Sequence, residues 1–273
     1  MAQASEQSPA VAGPNTSLEV EGVTVSFGGL TALDNVSFRA SDGEVVGVIG
    51  PNGAGKTTLF NVICGFVRPA AGRISWRGRE LRHQRPHQLA HLGITRTLQG
   101  VGLIAGLSAL ENVMVGAQPL ARTGSASALL GLPSSAKEER RLRASALEAL
   151  ARLGVAAYAG EHPSSLPYPI QKKIALARAL VSGPALTLMD EPASGLSSSD
   201  IAELGELLRG LRSEMGVLIV EHNMDLVMAT CDRIVVLDFG RVIATGTPAE
   251  VRANPVVTEA YLGAPVEAEA SDA

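Results

Sequence analysis

Two cysteines, Cys64 and Cys231, are all that 273 residues hold. They are too few for a disulfide framework or a cysteine metal site, so each is read as a small core residue in a reducing compartment. Aromatic residues make up only 3% of the chain and no basic stretch interleaves with them. With a formal net charge of −4, this argues against a nucleic-acid partner. The densest charge run, Lys137 to Arg143, mixes both signs and reads as a solvated helix face. No apolar run reaches the roughly 18 residues of a spanning helix. The longest charge-free apolar stretch, near Leu98–Leu110, is shorter and contains three glycines. Residues 1–17 lack both a basic residue and an apolar centre, and are expected to form a disordered lead-in rather than a secretory signal. Residues 264–273 read as an acidic flexible tail.

What is present is concentrated in Gly50-Pro51-Asn52-Gly53-Ala54-Gly55-Lys56-Thr57, which fits the phosphate-loop pattern G-x-x-x-x-G-K-[ST]. An apolar run, Val45 to Ile49, leads in like a buried strand, and Thr58 to Ile63 leads out like a helix. Backbone N–H groups and the positive end of that helix suit nucleotide phosphates. The glycines permit close approach and unusual backbone angles. Lys56 is placed to reach the β- and γ-phosphates, and Thr57 to put its hydroxyl on Mg²⁺.

The surrounding chain reads as one large α/β domain. Leu18, Val20, Val23, Val25 and Phe27 nearly alternate, as in a half-buried strand, and Val36–Arg39 and Ile74–Trp76 read as further strands. Together they predict an antiparallel β layer. Ala185–Met189 and Val217–Val220 are short runs of buried parallel type, and Asp238-Phe239-Gly240 marks a hairpin between two more strands. From about 106 to 164 the composition shifts to Ala and Leu. Helical spacing of Leu142, Leu147, Leu150 and Leu153, with a loop at Gly131–Ser135, predicts a helical insert in a core of about 18–105 and 165–263.

Asp190-Glu191 follows an apolar strand, at the carboxyl edge where open α/β sheets bind ligands. Asp190 is a candidate to hold Mg²⁺ through water, and Glu191 to polarise an attacking water. His222, just past another strand, could hydrogen-bond a γ-phosphate. Gln99 alone is an uninformative polar loop residue. His83, His87 and His91 have helical metal-ligand spacing, but Pro86 interrupts the helix and solvent-facing histidines are expected. No N-K-x-D guanine motif is present.

The order phosphate loop, glutamine, helical insert, acidic pair and histidine resembles the ATPase subunit of ATP-binding-cassette transporters, from about Leu18 to Gly263. The likeness implies a phosphate-loop NTPase (RecA-like) α/β core that uses ATP and Mg²⁺. It implies adenine stacking on Phe27 and a phosphate cradle of Gly50, Asn52, Gly53, Gly55, Lys56, Thr57 and Thr58. Thr57, Gln99 and Asp190 would serve the metal, Glu191, His222 and Gln99 would serve catalysis, and Ser194-Gly195-Leu196-Ser197 would lie at a dimer seam. Expected partners are a second cassette, permease subunits docking near Gln99 and Val101–Ile104, and, indirectly, an extracytoplasmic binding protein. The expected location is the cytoplasmic face of the membrane. Gly93-Ile94-Thr95-Arg96-Thr97-Leu98-Gln99, and Gly246–Val251 with Asn254-Pro255, are similar to branched-chain amino acid importers.

One departure stands out. Where the family carries L-S-G-G-Q or a near variant, this chain has Leu166-Pro167-Tyr168-Pro169-Ile170. Pro167 replaces a serine hydroxyl, and Pro169 removes an N–H that would meet the partner's γ-phosphate. Two readings follow: a heterodimer with one impaired site, or a tip in which Tyr168 and the remaining amides suffice. A regulatory subunit with little turnover is the alternative function. A soluble relative in DNA repair or translation fits less well, because the chain has one cassette and a short insert.

Overall fold

The computed structural model of the chain describes residues 16–82, 84–97, 100–121 and 133–262. It opens with β1 (Thr16–Phe27), β2 (Leu30–Ser41), β3 (Val45–Ile49) and α1 (Lys56–Ile63), then β4 (Ala71–Trp76) and the short β5 (Arg79–Glu80). Next come α2 (Pro86–Leu89), β6 (Ile94–Arg96), α3 (Ala109–Gly116), α4 (Pro133–Arg152) and α5 (Tyr168–Leu180). β7 (Leu186–Asp190), α6 (Ser198–Leu211), β8 (Gly216–Val220) and α7 (Met224–Thr230) follow. β9 (Arg233–Asp238), β10 (Arg241–Gly246), α8 (Pro248–Ala253) and α9 (Pro255–Leu262) close the described chain.

Two sheets form. β2-β1-β4-β5 is antiparallel, as its half-buried alternation implies, and β10-β9-β3-β8-β7-β6 is parallel except for the β9–β10 hairpin. The inner strands β3, β7 and β8 are buried at every position; β3 and β8 read as continuous apolar runs, and β7 as one interrupted by the buried Thr187 and closed by Asp190. Successive side chains still face opposite ways. Val46, Val48, Leu188, Leu218 and Val220 pack towards the antiparallel sheet and α1, while Val45, Ile49, Met189, Val217 and Ile219 pack towards the helices. This stacking places the carboxyl ends of β3, β7 and β8 side by side at one edge.

Several boundaries differ from the sequence expectation. β1 begins at Thr16, with Ser17 already buried. The short edge strand β6 pairs with β7 in a stretch expected only as motif and loop. Of the loop expected at Gly131–Ser135, residues 131 and 132 lie outside the described residues, and Pro133 opens α4, where a proline's missing N–H costs nothing. The buried stripe of α4 is Leu142, Ala146, Leu150 and Leu153, and Leu147 is 39% exposed. Spacing of four keeps a residue on one face, and the step from 142 to 147 turns it away. Cys64 and Cys231 are buried as expected, their thiols pushed up to about 11 and about 12 by burial. Among the described residues, no helix is long and apolar enough to cross a membrane.

Candidate functional site

β3 ends in the phosphate loop. A Cβ at Gly50 would lie 2.1 Å from the Leu237 carbonyl oxygen, so the loop's first residue tolerates no side chain. Gly53 has open space around it but a φ of +80°, which favours glycine for conformational reasons alone. Gly55 caps α1 without any side-chain hydrogen bond, leaving the first-turn N–H groups free to meet an anion. Lys56 curls back over the loop, donating to the Gly50 and Pro51 carbonyl oxygens at 2.6 and 2.9 Å. Burial pushes its ammonium down, with the Glu191 carboxylate pulling the other way. Thr57 is exposed beside it.

A cleft of about 330 Å³ joins this loop to the acidic strand end, with Asn52, Gly53, Lys56, Thr57 and Glu191 in its walls. Leu30 and Phe239 form the outer wall. Phe27 is the cross-strand partner of Leu30 and half exposed. Phe239, which sequence reasoning took only for a turn residue, is 86% exposed with φ +41°.

The acidic pair splits into two environments. Asp190 is buried and takes a hydrogen bond on Oδ2 from Arg96 at 3.1 Å. Burial pushes its carboxyl up, and Arg96 pulls it back. Glu191 reverses the chain at φ +46°, its N–H donating to the Val220 carbonyl oxygen at 2.8 Å. That turn aims its side chain at the cleft. His222 Nδ1 stands 3.7 Å from Glu191 Oε1 and 3.8 Å from Glu221 Oε2, with the imidazole 61% exposed. Lys56, Thr57 and Glu191 thus line one opening, with His222 beside Glu191 and Asp190 buried at the end of β7. Gln99 lies outside the described residues.

Sequence reasoning missed three residues besides Phe239. Glu221 is fully buried, and Arg96 is mostly buried. Lys172 on α5 donates to the Glu191 carbonyl oxygen at 3.3 Å and lies over the Tyr168 ring. A charged residue in an otherwise apolar strand end was the one available signal for Glu221. Pro167 caps α5 and Pro169 sits in its first turn, so the prolines are structurally comfortable. Tyr168 covers Gly195, where a Cβ would lie 2.8 Å from its ring. His87 and His91 are exposed, on α2 and the turn after it, and His83 lies outside the described residues. No histidine, cysteine and carboxylate cluster fit for a metal occurs among the described residues.

Residues 33–194 match the family profile described as ABC transporter. The chain belongs to the ABC transporter family. It is an ATP-hydrolysing cassette of that family, and residues 241–267 match a second profile, branched-chain amino acid ATP-binding cassette transporter. The chain is 40% identical over 248 residues to the high-affinity branched-chain amino acid transport ATP-binding protein LivG of Salmonella typhimurium, covering 90% of this chain and 97% of that protein. It is 38% identical, with the same coverage, to BraF of Pseudomonas aeruginosa, which carries the same description. A crystal structure of a nucleotide-free ATP-binding cassette from an ABC transporter superposes with a TM-score of 0.79 at 29% identity, covering 90% of this chain and 98% of that one. The ADP conformation of a cassette matches with a TM-score of 0.77, covering 91% and 99%. The cassette fold expected from the motif order is therefore the fold of this chain.

Proposed function

We propose that this cassette powers import of branched-chain amino acids from the cytoplasmic face of the membrane, bound to separate permease subunits. The observation that carries this reading is near full-length similarity to proteins described as branched-chain amino acid transport ATP-binding proteins, joined by the separate match at 241–267. An extracytoplasmic binding protein would hand the substrate to the permease, so the amino acid need never touch this chain.

The phosphate loop, with Gly50, Asn52, Gly53, Gly55 and Thr58, cradles the nucleotide phosphates, and Lys56 leaves its carbonyl partners for the β- and γ-phosphates. Phe27 stacks on adenine. The donor set suits Mg²⁺: a hydroxyl at Thr57 and a carboxylate at Asp190 are hard oxygen ligands, and phosphates and water complete such sites. When bound there, the metal would supply positive charge against the phosphates. Glu191 would orient and polarise the attacking water and His222 would donate to the γ-phosphate, while for Gln99 the family resemblance implies a part in serving the metal and the permease contact.

Pro167 and Pro169 favour an asymmetric pair. In this family each signature serves the other subunit's nucleotide. This chain's phosphate loop would then work with a different cassette's signature, and its own Leu166–Ile170 tip would serve a weaker site.

Deleting the chain in its host should lower uptake of labelled leucine, isoleucine and valine and leave sulfate uptake unchanged. Restoring it as Glu191→Gln should not rescue uptake. Undiminished leucine uptake in the deletion contradicts the proposal.

A further inference from the structure

Arg96 holds four anchors at once. Its Nη2 donates to Asp190 Oδ2 at 3.1 Å and its Nη1 to Asn61 Oδ1 at 3.1 Å. The guanidinium also lies over the rings of Phe60 and Phe66, 5.1 and 5.4 Å from their centroids. Phe60 and Asn61 belong to α1, which begins at the phosphate loop, and Asp190 ends β7. Arg96 itself ends β6, three residues before Gln99. One side chain therefore ties the phosphate-loop helix, the acidic strand end and the segment leading to Gln99.

The pair is largely out of water, at 18% exposure for Arg96 and 5% for Asp190. An exposed pair of this kind is worth little. Here the surroundings screen it less, and Asp190 without a counter-ion would be costly to bury. The arrangement is not fully satisfied, however. Arg96 Nε is buried without a hydrogen-bond partner among the described residues. The Asp190 carboxylate takes no other hydrogen bond among them, which leaves Oδ1 available.

The geometry points to Arg96 as an internal counter-ion that competes with Mg²⁺ for Asp190. While the metal is away, the guanidinium neutralises the carboxylate and holds it in place. When the metal arrives, the carboxylate divides its charge between two cations, so Arg96 weakens the site's grip on Mg²⁺. Arg96 is a positioning residue, since it acts through Asp190. The inference rests on the reading of Asp190 as the metal-side carboxylate.

The test is a Mg²⁺ titration of fluorescent-ATP binding to the purified full chain, which needs no turnover. Arg96→Met should lower the Mg²⁺ midpoint by about tenfold, the size of one lost charge interaction in a partly buried site. Affinity for the nucleotide in EDTA should stay within about threefold of wild type, because the competition acts only through the metal. Arg96→Lys keeps the charge without the two-pronged grip, so its midpoint should fall between the two. If the methionine variant does not fold, the lysine variant decides in the same way. A midpoint at or above the wild-type value overturns the inference while leaving the Asp190 reading intact. Wild-type binding that is indifferent to Mg²⁺ overturns both.

Discussion

The Glu221 carboxylate accepts the Ala193 N–H at 2.6 Å through Oε1, and the N–H groups of His222 and Asn223 at 2.8 and 2.9 Å through Oε2. A fully buried carboxyl group thus joins the loop that follows Glu191 to the loop that carries His222. No aliphatic side chain can replace those three contacts.

Glu221→Ala strands the buried Ala193 N–H, which costs roughly 1–3 kcal/mol when unpaired, and leaves the part-buried N–H groups of His222 and Asn223 to water. The variant should lose about 2 kcal/mol of stability. Urea unfolding measures this, and a loss below about 1 kcal/mol would show that water or a rearranged loop replaces the carboxylate.

Two phosphate-loop glycines should respond differently to alanine. Gly50→Ala drives a Cβ into the Leu237 carbonyl oxygen, so the β3–β9 junction must shift and the fold should fail or be severely destabilised. Gly53→Ala meets nothing, and the strain of its positive φ should cost only about 1 kcal/mol. Thermal melts of the two variants compare the effects, and equal losses contradict the distinction.

Glu44 sets part of the acid limit. Burial alone would push its carboxyl up, but the Arg233 fork, at 2.7 and 2.9 Å, and the Ser41 N–H outweigh that and hold it below the usual 4.5. A depressed folded value means the unfolded chain binds its proton first as pH falls. The Glu44 contribution should therefore be complete above about pH 4.5 and fade as pH drops through the folded value. Urea midpoints of wild type and Glu44→Gln should differ near neutrality and converge in acid. A gap that stays constant with pH removes Glu44 from the acid transition.

The prolines at 167 and 169 can be reversed. Pro167→Ser with Pro169→Gly restores a hydroxyl and an N–H, each worth roughly 1.5–3 kcal/mol towards a charged phosphate. ATP turnover by the purified chain should rise at least about tenfold, because every self-paired site then regains that hydroxyl and that N–H. No gain would mean that Tyr168 and the remaining amides already suffice.

Much of this was legible because the decisive patterns are local. Gly50 to Thr57 declares its loop within eight positions, and the buried strand that leads to His222 shows as an unbroken apolar run, the one before Asp190 being broken only by Thr187. Arg96 was not legible, because its partner lies 94 residues away and nothing near it in sequence marks the contact. Glu221 was visible as a charge but not as a hub, since its three donors are backbone groups that have no sequence signature. Leu147 was misplaced because leucine is a strong apolar cue while the true stripe passes through Ala146. Phe239 was passed over because a hairpin accounted for it without reference to the neighbouring cleft.

The most direct test is ATP turnover by the purified wild-type chain over a wide range of chain concentrations, with Glu191→Gln as the blank. A cassette that needs another subunit's signature binds MgATP saturably while its turnover stays at the blank at every concentration. Turnover per chain that climbs with concentration would mean self-dimers are competent, and would contradict the asymmetric pairing.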